Sequence, residues 1–203
     1  MLAHGAGSNG KAPLLAVVAA TFAQAGFTVL RCDLPYRQKR PHGPPFAGEA
    51  AQDREGLRNA VGALRRYEPA GSCRRIFLGG HSYSGRQASI LAAEDPEIAS
   101  CLMLLSYPLH PPRRPEQLRT AHFPSLRTPS FFVRGARDLF GSPEEMAAAL
   151  KLIPARTAVL TVEGAGHDLG FGGKAARPAA ANEVAQRILN AFRLFCEDAR
   201  SDG

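Results

Sequence analysis

Residues 78–87 read LGGHSYSGRQ, and their types and order could do chemistry. A short apolar run, RIFL, leads in and an alanine-rich stretch, ASILAAE, leads out. Three glycines, two serines and a histidine therefore stand between a predicted strand and a predicted helix. A serine hydroxyl is a weak nucleophile unless a base takes its proton and its geometry is fixed. A strained strand-to-helix turn fixes the geometry, and it demands small residues two before and about two after the nucleophile. Gly80 meets the first demand for Ser82. Ser84 meets the second imperfectly, with Gly85 one place late. Ser82 is the expected nucleophile. Ser84, further into the helix, is the alternative and would lose the exposure of the turn.

A nucleophilic serine needs an acid and a histidine. Asp138 follows the run PSFFVRG, and His167 follows TAVLTVEG in the glycine-flanked loop GAGHD. The interval between them leaves room for one helix and one strand. Asp168 is the rival acid, but adjacent side chains rarely face each other well enough to orient an imidazole, so Asp138 leads. Acyl transfer also builds negative charge on a carbonyl oxygen, which preorganised backbone N–H groups stabilise. Tyr83, directly after the nucleophile, is the first expected donor. Ala6 in the loop HGAGSN is the second, with Gly7 next, and His4 is expected to brace that loop. His81 lines the pocket or packs beside it.

These residues need a scaffold that brings three loops to one edge. The runs at 27–33, 74–80, 100–107, 129–135 and 157–164 are nearly continuous in apolar residues, the pattern of strands buried on both faces of a parallel sheet. Helices are expected over 11–25, 47–67 and 84–94, after a capped start at Ser142-Pro143, and near the end, where Val184, Ile188, Phe192 and Phe195 form one stripe. The alternation predicts an α/β class fold, a right-handed, doubly wound, mostly parallel sheet. Two proline- and arginine-rich segments, 37–48 and 108–129, interrupt it after strand ends. They read as surface loops or as the substrate rim. Tyr36, Tyr107 and His110 are the expected substrate-binding residues there. Arg86 is structural or meets an anionic substrate.

The 203 residues are read as one domain, 1–203, at 45% hydrophobic and 21% charged. No stretch approaches the roughly 20 apolar residues that span a bilayer, and the start is not a secretory signal, so no membrane partner and a cytoplasmic location are expected. Cys32, Cys73, Cys101 and Cys196 form no C-x-x-C pair and read as reduced, structural residues. The net charge of +7 comes from scattered arginines without a nucleic-acid-binding motif, so no nucleic-acid partner is expected.

HGAG, GHSYSGR, GARD and GAGHD, in that order, resemble the motifs of the α/β-hydrolase superfamily. The segments DLPY and SYPLHPP are similar to those of its small dienelactone-hydrolase-like branch, which includes testis-expressed and NSL-complex hydrolase-like proteins. The resemblance covers nearly the whole chain. It implies the α/β-hydrolase fold and a Ser82 nucleophile, Asp138 acid and His167 base. Members usually carry glycine where Ser84 stands, and one or two strands normally precede the HG loop, so the sheet is expected to be trimmed at its N-terminal edge. Dienelactone hydrolases proper use cysteine, so their substrate is not implied. The expected activity is hydrolysis of a carboxylic ester or thioester, a small-molecule acyl substrate, with no metal or organic cofactor. A scaffold that keeps the fold, or an acyltransferase using the same triad, is the alternative.

Overall fold

The computed structural model describes residues 1–67, 75–172 and 178–198. Among them are six strands: β1 (Leu2–Ala3), β2 (Arg31–Cys32), β3 (Phe77–His81), β4 (Cys101–Leu105), β5 (Ser130–Gly135) and β6 (Thr157–Val162). They lie in the order β2-β1-β3-β4-β5-β6, and every pairing is parallel. The helices are α1 (Pro13–Gln24), α2 (Pro35–Lys39), α3 (Ala50–Tyr67), α4 (Tyr83–Glu94), α5 (Pro143–Leu150) and α6 (Pro178–Asp198). None is long and apolar enough to cross a membrane.

β4 and β5 are buried at every position, as their unbroken apolar runs require. Alternate residues feed opposite layers. Leu102, Leu104 and Phe132 pack with Leu57 and Val61 of α3, Leu91 of α4 and Met146 of α5. Cys101, Met103, Phe131 and Val133 pack with Leu15 and Val18 of α1 and with Ile188, Phe192 and Phe195 of α6. Burying each large apolar side chain contributes roughly 1.5–3 kcal/mol.

Local signals set the helix ends. α1 starts at Pro13, whose missing N–H costs nothing in a first turn. It ends in a Schellman motif, with Phe27 N–H donating to Phe22 O at 3.1 Å and Gly26 N–H to Ala23 O at 3.0 Å. Gly26 takes the left-handed position at φ 89°, and the Phe22 and Phe27 rings meet at 5.2 Å. α5 carries a full capping box between Ser142 and Glu145.

Three expectations change. The run at 27–33 pairs only at Arg31–Cys32, because β1 offers it partners at Leu2 and Ala3 alone. The segment 37–48 is not all loop: α2 enters it, started by Pro35 and continuing to Lys39. The run at 100–107 stops pairing at Leu105, because Ser106 turns to φ 48°. Cys73 and Arg74 lie outside the described residues.

The sheet order reverses between β1 and β3. From β1 the chain moves to β2 on one side, and from β3 it moves through β4 and β5 to β6 on the other. In open α/β sheets the crevice at the strand C-termini beside such a reversal is where ligands bind. The loops that leave β1 and β3 there are HGAGSN and the turn at Ser82.

Candidate active site

Ser82 sits at φ 53° and ψ −111°, a backbone region that side chains rarely adopt. Its N–H donates to Leu105 O at 2.8 Å, which ties the turn to β4. The close approach of strand and helix is made by Gly80 and Gly85. A methyl on Gly80 would lie 2.6 Å from Gly85 N and would also collide with the Ser84 hydroxyl, and one on Gly85 would lie 2.8 Å from Gly80 O. The glycine one place late thus does the packing, and position 84 tolerates a side chain. Ser84 is fully buried and its hydroxyl donates to His81 O at 3.2 Å, so it faces the protein interior.

Ser82 Oγ lies 2.8 Å from His167 Nε2. On the other side of the ring, His167 Nδ1 lies 2.9 and 3.0 Å from the two oxygens of Asp138. A carboxylate accepts, so Nδ1 carries the proton and Nε2 is left as the acceptor for the serine. The two loops are joined by their backbones: Ala136 N–H donates to Val162 O at 3.0 Å, and Arg137 N–H to Ala165 O at 2.9 Å. Asp168 instead turns its carboxylate onto its own loop, accepting from Gly170 N–H at 3.0 Å and Gly172 N–H at 2.9 Å.

The HG loop comes up against this serine. A methyl built on Gly5 would lie 3.5 Å from Ser82 Cβ and 2.9 Å from His81 Nδ1. Among the described residues neither Ala6 N–H nor Tyr83 N–H has a hydrogen-bond partner. Carbonyls on the same loop are held from behind. Gly5 O accepts from Tyr36 OH at 3.2 Å and from His4 Nδ1 at 2.9 Å. Leu34 N–H donates to His4 Nε2 at 3.1 Å, so Nδ1 is the protonated nitrogen. In a trans peptide C=O and N–H point in opposite directions, so fixing Gly5 O fixes where Ala6 N–H points.

The three expected substrate-binding residues are buried. Tyr36 is 1% exposed, with its hydroxyl spent on Gly5 O and Ala6 O. Tyr107 is 2% exposed and donates to Arg119 O at 2.6 Å. His110 is 5% exposed, its ring held between Pro111 O and Glu145. A position after a strand end identifies the loop but not which way the side chain turns, and these three turn inward.

Two other residues contribute that sequence reasoning did not weight, Phe140 and Asp53, and His81 joins them in bracing the site. Phe140 stacks on the His167 ring, centroids 4.1 Å apart at 30°. Its backbone N–H donates to Asp138 Oδ1 at 3.0 Å, so one residue holds both Asp138 and His167. Its only trace in the sequence is an aromatic residue two places after Asp138. Asp53 on α3 is fully buried and accepts from Tyr36 N–H at 3.1 Å and Tyr83 OH at 2.7 Å, linking both sides of the expected oxyanion site. His81 Nε2–H donates to His167 O at 2.9 Å, which anchors the histidine loop. Beside the turn, a cavity of ≈ 170 Å³ is lined by Gly5, Pro13, Leu14, Leu15, His81 and Phe171, among others.

The family model described as an alpha/beta hydrolase domain matches residues 1–196. The chain belongs to the alpha/beta hydrolases. Solved structures share the fold at low identity. An alpha-beta serine hydrolase homologue from Coxiella burnetii superposes with a TM-score of 0.71 at 14% identity, covering 94% of this chain and 83% of that one. Dienelactone hydrolase from Anabaena variabilis gives 0.66 at 23%, over 91% and 80%. A Pyrococcus furiosus esterase gives 0.70 at 16%, over 95% and 81%.

This alpha/beta hydrolase keeps several imidazoles neutral by burial. Burial, slightly offset by the hydrogen bond to His167 O, takes His81 down to about 4 from the ordinary 6.5. Burial first and the charge of Arg86 second take His122 to about 4. The unfolded chain protonates both through 6.5 while the folded one resists, so the unfolded state binds more protons between about pH 6.5 and 4. Stability is full above that window and falls as pH drops through it. Thermal melts should show a lower transition at pH 4.5 than at 7.5, and His122→Gln should shrink the difference. An unchanged melting temperature across the window would contradict neutral burial.

Proposed function

We propose that the protein is a serine hydrolase that cleaves a carboxylic ester or thioester through Ser82, His167 and Asp138. The observation that carries this reading is the unbroken chain of short hydrogen bonds from Ser82 Oγ through His167 to Asp138, on a serine in strained backbone. His167 Nε2 takes the Ser82 proton as Oγ attacks the carbonyl carbon. The oxyanion receives hydrogen bonds from Ala6 and Tyr83 N–H, and His167 returns the proton to the leaving alcohol or thiol. Water then repeats the sequence on the acyl-enzyme, releasing the acid and restoring Ser82. Asp138 holds the imidazole tautomer and supports the imidazolium. Among proteins of similar fold are esterases from Pyrococcus furiosus and Butyrivibrio proteoclasticus, the latter also solved with ferulic acid bound.

A fluorophosphonate probe tests the reading, because it reacts only with an activated serine. The parent and Ser84→Ala should label, and Ser82→Ala should not. A folded parent that resists the probe, or labelling that survives Ser82→Ala, would overturn the assignment.

A further inference from the structure

Four buried side-chain atoms among the described residues lack a hydrogen-bond partner: Arg86 Nε, Ser106 Oγ, Thr128 Oγ1 and Arg134 Nη1. The two arginines differ. Arg134 donates through Nη2 to Gly141 O at 2.8 Å. Arg86 has no hydrogen bond or ion pair from its guanidinium to any described residue. Other helical arginines have acceptors: Arg54 meets Glu94 at 3.3 Å and Arg58 meets Glu55 at 2.7 Å, while Arg65 and Arg193 donate to backbone carbonyls. A guanidinium with a buried, unmatched Nε lacks an acceptor that the fold does not provide.

Arg86 stands one turn from the nucleophile. Its N–H donates to Ser82 O at 3.0 Å, closing the first turn of α4. Helical side chains lean toward the N-terminus, so this one leans back toward Ser82, from about 5 Å further along the axis. A second cation is brought to the same seam. Tyr107 OH donates to Arg119 O at 2.6 Å and Arg119 N–H donates to Leu109 O at 2.8 Å, which fixes that residue over the end of β4. The same loop is tied to α4, where His122 Nε2 lies 2.8 Å from Ser89 Oγ, which in turn donates to Arg86 O at 2.9 Å. Arg119 makes no ion pair with a described carboxylate. Burial first, then the charge of Arg86, lowers its affinity for its proton, as like charges on one seam would. Tyr107 supplies no counter-charge: burial raises its phenol and keeps it neutral.

We propose that Arg86 and Arg119 form an anion-binding subsite beside Ser82, so that the substrate is an ester or thioester bearing a carboxylate or phosphate a few bonds from its scissile carbonyl. The substrate clause rests on the serine-hydrolase reading above; the anion site does not. Two guanidinium groups on one seam, one of them with a free Nε edge, suit the paired oxygens of either anion, since arginine binds them bidentately.

Two readouts separate the site from the reaction. In the first, glutarate and inorganic phosphate are titrated calorimetrically at low ionic strength into the parent protein and into Ser82→Ala. At least one should bind both, about 10- to 100-fold more weakly after Arg86→Gln or Arg119→Gln, the loss of a charge-assisted pair. Arg86→Lys, which keeps the charge without the Nε donor, should fall between. The tighter of the two anions identifies the group recognised. In the second, kcat/KM is compared for 4-nitrophenyl hemiglutarate and neutral 4-nitrophenyl valerate. The parent should prefer the charged ester, and either glutamine variant should reduce that ratio by a similar factor. Failure of both anions to bind, or binding indifferent to both arginines, would overturn the subsite. Arginine-dependent binding with neither ester cleaved would keep the subsite and remove the esterase reading.

Discussion

Ser82→Gly is expected to be inactive and yet to melt higher than Ser82→Ala. Both replacements remove Oγ, the atom 2.8 Å from His167 Nε2, and with it the proposed nucleophile. Loss of a triad serine lowers kcat by about 10⁴- to 10⁶-fold. Both also lose the same hydrogen bond, so that term cancels between them. What differs is the backbone. At φ 53° and ψ −111° a Cβ strains the chain, by about 1–3 kcal/mol for such outliers. Glycine removes the strain and returns about 1 kcal/mol through its freer unfolded state. The net advantage of about 1 kcal/mol corresponds to roughly 2–4 °C in a chain of this length. Paired activity assays and melting curves on the two variants measure it. Equal melting temperatures would mean that the turn stores no strain, and a Ser82→Gly protein that still turns over substrate would move the nucleophile elsewhere.

That Ser82, Asp138 and His167 would meet is legible in the chain itself, because each follows a strand and parallel strands end at one edge. Chain order and loop position are properties of sequence. Side-chain direction is not. Tyr36, Tyr107 and His110 occupy the same kind of position, yet each turns inward to satisfy a carbonyl or a carboxylate, and nothing local distinguishes the two outcomes. Phe140 and Asp53 were hidden for a related reason: stacking on His167 and bridging Tyr36 to Tyr83 are contacts between segments far apart in the chain. Ser84 shows the reverse limit. The motif asks for glycine there, but the steric demand falls on Gly80 and Gly85, a distinction visible only once strand and helix are in contact. The length of β2 was equally out of reach, since a strand extends only as far as its neighbour pairs with it, and β1 pairs at two residues.

On the proposed mechanism, Asp138→Asn should leave the fold intact and lower kcat by about 10⁴-fold, as expected when a catalytic imidazole is held in the wrong tautomer. The Asp138 side chain is 4% exposed and takes two kinds of donor, the Phe140 N–H at 3.0 Å and the His167 Nδ1–H at 2.9–3.0 Å. An amide has one acceptor and one donor end. Phe140 N–H cannot change roles, so it claims the carbonyl oxygen of the introduced amide and turns the NH₂ group toward His167. Facing a donor, Nδ1 must give up its proton, and the hydrogen moves to Nε2. That nitrogen then points an N–H at Ser82 Oγ and can no longer accept the serine proton, although every heavy atom stays in place. Kinetics with a 4-nitrophenyl ester, together with a melting curve, test this. A loss of less than about tenfold would mean that Asp138 does not set the tautomer, and a collapse in melting temperature would show that its main work is to hold the Phe140 loop.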